Sequence, residues 1–228
     1  MDFHPDKCHL LRITNKRKII DSNYTIHDKK LKLDDSAKYR GVTLSKNISW
    51  KHQIGIIAAK ANSTRFFLQR NLVKVDKETK LKCYHVFTRP ILEYASTVWN
   101  PVNQVTLISR LEMVQNKSIR WICSNWRKDV SVTKLRSSLQ MKTLETRRSI
   151  AQLKMFHDLI YSSKCMQKDI LPKRQRCIDI KFKPIYGCVQ SYSLSFFPHM
   201  VKVWNSLPKN IRNKEEKVVF NKEIESLF

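Results

Sequence analysis

The chain has 228 residues, 42% of them hydrophobic and 28% charged, which is enough apolar material for a real core and unlike the composition of a disordered tail. Its 44 Lys and Arg against 19 Asp and Glu give a formal charge of +25, an excess that works against compactness unless a polyanion offsets it. Nucleic acid is therefore the first partner to consider, and the scatter of basic residues along predicted helices implies a folded basic surface more than a basic tail.

From Cys8 to Leu44 the texture is that of strands. HLLRIT, KRKII, NYTIHD, KLKLDD and YRGVTLS are short runs rich in β-branched and aromatic residues, separated by Asn, Asp, Ser and Lys. They read as antiparallel hairpins at a sheet edge, and being marginal alone they need helices to lie on. At Asn47-Ile48-Ser49-Trp50 the period changes from 2 to 3.6. Ser49 reads as an N-cap, with Trp50, Ile54, Ile57, Ala61 and Leu68 on one stripe of a helix reaching about Leu72.

A second helix is expected from Asp76, its cap, to Phe87. RPILEYASTVWNP (89–101) follows as a short helix, with Pro90 in its first turn and Asn100-Pro101 stopping it. At 100° per residue, Ile91, Leu92, Tyr94, Ala95, Val98 and Trp99 share one arc, with Glu93, Ser96 and Thr97 opposite. Arg89 and Glu93 then orient neighbours. A longer helix spans about Gln104 to Ile122, with the stripe Leu107, Leu111, Val114, Trp121 and Ile122 beside a basic column of Arg110, Lys117 and Arg120.

Helices near Val132–Leu139 and Leu144–Ile160 come next. The pattern fades over 162–187, where Pro172, Pro184 and KRQR predict a loop or linker. Order returns at Tyr192: Ser195-Phe196-Phe197-Pro198 opens a helix that stops at Leu207-Pro208, and Glu215–Phe228 reads as a peripheral helix.

Cys8, Cys83, Cys123, Cys165, Cys177 and Cys188 form no C-x-x-C pair and no zinc-finger spacing with His, so they read as free thiols, mostly buried. The longest aliphatic run, residues 54–59, is interrupted by Gly55 and falls far short of a membrane span. With no signal-like amino terminus, an intracellular chain, nuclear or cytoplasmic, is expected. Three glycines leave no Gly-rich phosphate loop.

Several ordered motifs carry a resemblance. FHPDKC (3–8) resembles the FNPDKC or FNPSKC segment after the metal-binding hairpin of the palm in reverse transcriptases of non-LTR (LINE-type, jockey-like) retrotransposons, with His4 in place of Asn. KYRGVTL resembles the KYLGV primer grip, with Arg40 in place of Leu. ISWKHQI with KAN, RPILEYASTVWNP, LEMVQNKSIRWI, LETRRSIAQLKMFHDLI and SFFPHMVKVWNSLP resemble, in order, successive elements of the region downstream of the catalytic core.

The resemblance implies an α+β fold: residual palm strands and a primer-grip-like hairpin in 1–48, a thumb-like helical domain in 49–125, and a carboxy-terminal helical region in 126–228. It implies RNA, DNA or an RNA–DNA hybrid as partner, together with the amino-terminal polymerase region. Two-metal polymerisation needs clamped carboxylates, and no Y-x-D-D occurs here; Asp34-Asp35 reads as a solvated turn. The chain is accordingly expected not to catalyse by itself, and Mg2+ would belong to the missing palm.

Lys7 matches a family lysine placed near the departing pyrophosphate. Tyr39, Arg40 and Gly41 match the primer grip, where a residue without a side chain lets backbone approach nucleic acid. Lys60, Arg65, Arg70, Arg110, Lys117 and Arg120 are candidate phosphate contacts, with a solubilising helix face as the alternative. Trp50, Trp99, Trp121 and Trp204 sit on apolar stripes, where packing is favoured over base stacking. A protein-interaction or assembly module left by a decayed element, or a reading frame with no selected function, is the competing reading.

Overall fold

The computed structural model describes residues 4, 8–14, 22–161, 171–175, 180–187 and 189–228. It is a mixed α+β structure in which helices dominate and the strands pair two at a time. β2 (Thr25–Ile26) and β3 (Lys29–Lys30) form one antiparallel hairpin, and β5 (Ser36–Tyr39) and β6 (Val42–Ser45) a second. Both turn through two residues at positive φ, His27-Asp28 and Arg40-Gly41, the arrangement whose twist suits a two-residue hairpin loop.

The exception to the expected hairpins is β1 (His9–Leu11), which runs parallel to β4 (Lys32–Asp34) with Leu10 opposite Leu33. Parallel neighbours need a long connection, and the β2–β3 hairpin lies within it. Of the segment KRKII, residues 16–20 lie outside the described residues. Asp34 ends a strand and pairs with His9 at 2.6 Å, while Asp35 pairs with Lys46 at 2.8 Å. β6 carries this layer onto the helices: Val42 is buried, and the Thr43 N–H donates to the buried Gln53 Oε1 at 2.8 Å.

Gln53 belongs to α1 (Lys51–Asn71). Its buried stripe includes the expected Ile54, Ile57, Ala61 and Leu68, with Trp50 packed alongside. Trp50, not Ser49, holds the N-cap position, although the Ser49 hydroxyl accepts from Lys51 N–H at 3.3 Å. α2 (Lys77–Cys83) is capped as expected, the Asp76 carboxylate accepting from Thr79 N–H at 2.9 Å, a bond that holds its pKa below the ordinary value.

A π-turn (Tyr84–Thr88) then leads directly into α3 (Arg89–Glu93). Pro90 has no N–H to offer, and its ring would clash with the carbonyl four residues back in a regular helix. The widened turn just before it relieves that conflict.

The helix expected over 89–101 is broken in the middle. Tyr94 is extended and Ala95 left-handed, so α4 (Ser96–Trp99) starts in a new direction. Leu92 and Trp99 are fully buried, as expected, but Tyr94 and Val98 are 58% and 54% exposed whereas Ser96 is 5% exposed. A helical projection fails once two residues leave the helix, because every later side chain is rotated to another face.

α5 (Val105–Ile122) buries all five stripe residues. α6 (Val132–Ser138) and α7 (Leu144–Tyr161) follow. Within the expected loop, residues 162–170 and 176–179 lie outside the described residues. The described part includes a bridge of Arg174 to Phe182, and Phe182 is only 1% exposed in an aromatic core. After α8 (Gln190–Ser193), α9 (Phe196–Ser206) and α10 (Lys209–Arg212), the final helix α11 (Lys217–Leu227) buries Phe220 and Ile224 in the same core. It is therefore a core element, not a peripheral one.

Two main cores result. One is largely aliphatic, from β6, α1, α3, α4, α5 and Leu144; the other centres on Phe156, Trp204 and Phe220. α7 contributes to both and joins them. No helix among the described residues is long and apolar enough to cross a membrane.

Candidate nucleic-acid interface

Three adjoining clefts run along the exposed side of α1. The first, about 170 Å3, lies between α1 and α5, with Arg110 and Lys117 on its wall beside Ala58, Ala59 and Asn62. It shares Ala59 and Arg110 with a wider cleft of about 670 Å3, where Lys46, Lys51 and His52 face Gly55 and Ile56. Ile56 in turn lines a third, about 400 Å3, with Lys38, Lys60, Gly41 and Tyr94. Among the described residues, six cations thus follow one track against a single carboxylate, Asp35, which Lys46 already pairs.

Local sequence explains how the side chains reach it. Arg110 sits on the solvent side of the α5 seam, and its guanidinium lies across α1, with Nη1 3.6 Å from where a Cβ on Gly55 would stand. A helical glycine costs about 1 kcal/mol against alanine; here it leaves room for a long cationic side chain between two packed helices. Lys38 points into the track because side chains alternate along β5.

The expected site residues divide. Lys60, Arg110 and Lys117 are exposed and line the track. Arg70 is exposed in the last turn of α1, about 15 Å along the axis from Lys60 at the helical rise, where a cation suits the helix dipole. Arg65 turns inward: it is 2% exposed, donates to Gln69 Oε1 at 2.9 Å, and lies 4.0 Å over the Phe66 ring. Burial pushes its pKa down. A phosphate contact at Arg65 is not supported.

Arg120 also leaves the basic column. Its guanidinium donates to the carbonyls of Arg127 at 2.8 Å and Val130 at 3.1 Å, fixing the α5–α6 connection. Lys7 lies outside the described residues.

At the hairpin tip Tyr39 and Arg40 are exposed, with the guanidinium 5.6 Å over the Tyr39 ring. The close approach at Gly41 is made by protein: a Cβ there would stand 3.1 Å from the Tyr94 ring, whose hydroxyl donates to the Arg40 carbonyl at 2.9 Å. Tyr94 was not legible as a partner of this turn, because the helical projection placed it inside. Lys38, Lys46 and Lys51 were also missed. Their signal was the Lys spacing through KYRGVTLSKNISWK, which gains meaning only once the hairpin folds onto α1.

A second group of arginines makes bonds within the protein. Arg147 grips the Glu93 carboxylate through Nε and Nη2, which raises the Arg147 pKa, and Arg89 stands 3.8 Å from the same carboxylate. Arg148, 1% exposed, donates from Nε to Asn100 Oδ1 at 3.1 Å, and burial lowers its pKa. Asn100 donates to Gln152 at 2.8 Å, and Gln152 donates to the Thr97 carbonyl at 3.2 Å. Both arginines of LETRR therefore close onto RPILEYASTVWNP, at Glu93 and Asn100.

Trp99, Trp121 and Trp204 are buried and Trp50 packs on the first core, in keeping with packing roles. Cys8, Cys83 and Cys123 are free and partly buried. Among the described residues no group of three or more His, Cys, Asp or Glu is placed to hold a metal ion. Asp34 and Asp35 are paired with His9 and Lys46. Comparison with family models, with curated proteins and with solved structures finds no match to this chain.

Proposed function

We propose that this chain is the carboxy-terminal part of a non-LTR retrotransposon reverse transcriptase, binding RNA, DNA or an RNA–DNA hybrid through its phosphate backbone without polymerising by itself. Residues 1–48 would continue the palm and carry the primer-grip-like hairpin, 49–125 would form the thumb, and 126–228 the following helical region. The observation that carries the binding reading is the α1 track, where Lys38, Lys46, Lys51, Lys60, Arg110 and Lys117 adjoin. Cations spaced along a shallow open groove match a run of phosphates and carry no base-specific information.

Salt-titrated fluorescence anisotropy with single-stranded RNA, duplex DNA and a hybrid tests this. Four or five neutralised phosphates give a log–log salt slope of roughly −4 on a duplex. The triple reversal K60E/R110E/K117E should flatten that slope by about 3. Absence of binding at low salt would remove the proposal. Primer extension with Mg2+ should give no product; extension by this chain alone would overturn the non-catalytic reading.

A second reading has its own support. Phe66 and Phe67 on α1 and Val86 and Phe87 on the π-turn packed against it are all exposed, and exposed apolar side chains that gather into a patch mark interaction sites. A protein-interaction module would use these side chains. Unchanged RNA binding by the triple variant, together with a defined protein partner lost on Phe67→Asp, would favour it.

A further inference from the structure

A cavity of about 490 Å3 lies between the π-turn, α3, the α6–α7 connection, α7 and the end of α11, and shares no residue with the α1 track. That volume falls in the range of small-molecule sites. Arg89, Lys142, Arg147 and Lys154 line it against two carboxylates, Glu93 and Glu225, so its walls carry an excess of two positive charges.

Internal pairing does not exhaust the donors. Arg147 uses Nε and Nη2 on Glu93, Lys154 bonds the Glu225 carboxylate, and Lys142 bonds the Glu225 backbone carbonyl. Arg89 reaches Glu93 only at 3.8 Å. An arginine carries five N–H donors and a lysine three, so each of these side chains keeps donors beyond those bonds.

Two further features restrict the ligand. Gln115, fully buried, lines the cavity beside the equally buried Tyr84 hydroxyl and donates from Nε2 to the Lys142 carbonyl at 3.2 Å, and among the described residues its buried Oε1 has no hydrogen-bond partner. Leaving a buried acceptor without a donor is unfavourable, and a ligand hydroxyl or amine would satisfy it. Leu139, Met141 and Ile150 add an apolar wall.

We propose that this cavity binds a nucleoside phosphate: Arg89, Lys142, Arg147 and Lys154 take the phosphate, Gln115 Oε1 accepts from the nucleoside, and the apolar wall holds its base. A bare inorganic anion would leave the amide and the apolar wall unused. An uncharged nucleoside would leave the cations unused.

Isothermal titration of the full chain with adenosine 5′-monophosphate tests the site, with adenosine and inorganic phosphate as separate probes. Saturable binding of the monophosphate, with each separate probe at least about tenfold weaker, is expected. R89Q/K154Q should weaken it about tenfold or more, and A151F, which fills the cavity and keeps every charge, should abolish it. Circular dichroism checks that each variant folds, and if A151F does not, R89Q/K154Q decides alone. K60E/R110E/K117E should leave monophosphate binding within about twofold, as distant sites are independent, so this proposal and the duplex-binding proposal fail separately. Displacement by a 5′-phosphorylated oligonucleotide and not by its 5′-hydroxyl form would assign a strand end as the source; displacement by neither would assign a free nucleotide. Equal affinity for adenosine and its monophosphate, no saturable binding at millimolar ligand, or unchanged binding in both cavity variants would overturn the proposal.

Discussion

Arg147 and Arg148, at the seam between α7 and the α3–α4 segment, meet acceptors on the facing chain, whereas Lys60, Arg110 and Lys117 along α1 and α5 face solvent. The residue chemistry is similar and the surroundings decide its use. Where Glu93 and Asn100 stand opposite, the cation becomes a strut that sets helix orientation. Where a shallow cleft stands opposite, its hydrogen-bonding capacity stays available to a polyanion. Arg65 and Arg120 crossed from the second group to the first when burial or nearby carbonyls captured them.

The largest effect expected from disturbing the seam comes from Trp99→Ala. Trp99 is fully buried, and its Nε1 donates to the Tyr94 carbonyl at 2.8 Å across the α3–α4 break. Loss of about 3–5 kcal/mol in urea-monitored stability is expected; a loss below about 1 kcal/mol would show that the break does not depend on this anchor. Next comes Glu93→Gln, which removes the charged acceptor shared by Arg147 and Arg89. It should cost about 1–2 kcal/mol while leaving RNA affinity unchanged. Weakened RNA binding with stability intact would erase the distinction between the two regions.

A smaller effect is expected from pH. Burial, then Arg89 and Arg147, push the His85 pKa below its ordinary value, with Glu93 opposing. The unfolded chain then binds the proton more readily than the folded one, so this stability is present above about pH 6.5, the unfolded value. It is lost as pH falls through the depressed folded value. His85→Gln should make the melting temperature less acid-sensitive between neutral and mildly acidic pH. Part of the sensitivity will remain, because burial shifts His157 and His199 in the same direction. An unchanged slope in His85→Gln would remove His85 as a contributor. The smallest stability effect belongs to K60E/R110E/K117E, within about 0.5 kcal/mol of the parent, even as its salt-dependent RNA binding collapses.

How much was readable in advance follows from the range of each interaction. The α1 and α5 stripes were legible because unbroken helical periodicity alone sorts side chains into faces, and Asp76 was legible as a cap because its bond reaches only three residues. The Arg40-Gly41 turn likewise carries a local signal, since it needs positive φ at both positions. The α3–α4 break had no such signal: Ala95 is not a residue that favours a left-handed conformation. Its compensation comes from Trp99, Asn100 and the Tyr94–Arg40 bond, all but the last within a few residues, with Asn100 held by Arg148 of α7, 48 positions away.

The sequence by itself determined a strongly basic, mainly helical α+β chain, the positions of most helices, and the buried stripes of α1 and α5. These follow from composition, short-range periodicity and capping, each settled within a turn or two of chain. Only the tertiary structure decided which cations are struts and which remain open, that Tyr94 and not a ligand fills the space at Gly41, and that four cations close around a separate cavity. Those outcomes depend on acceptors and surfaces brought from distant segments, and a side chain's donors are free or occupied only after the segments have packed.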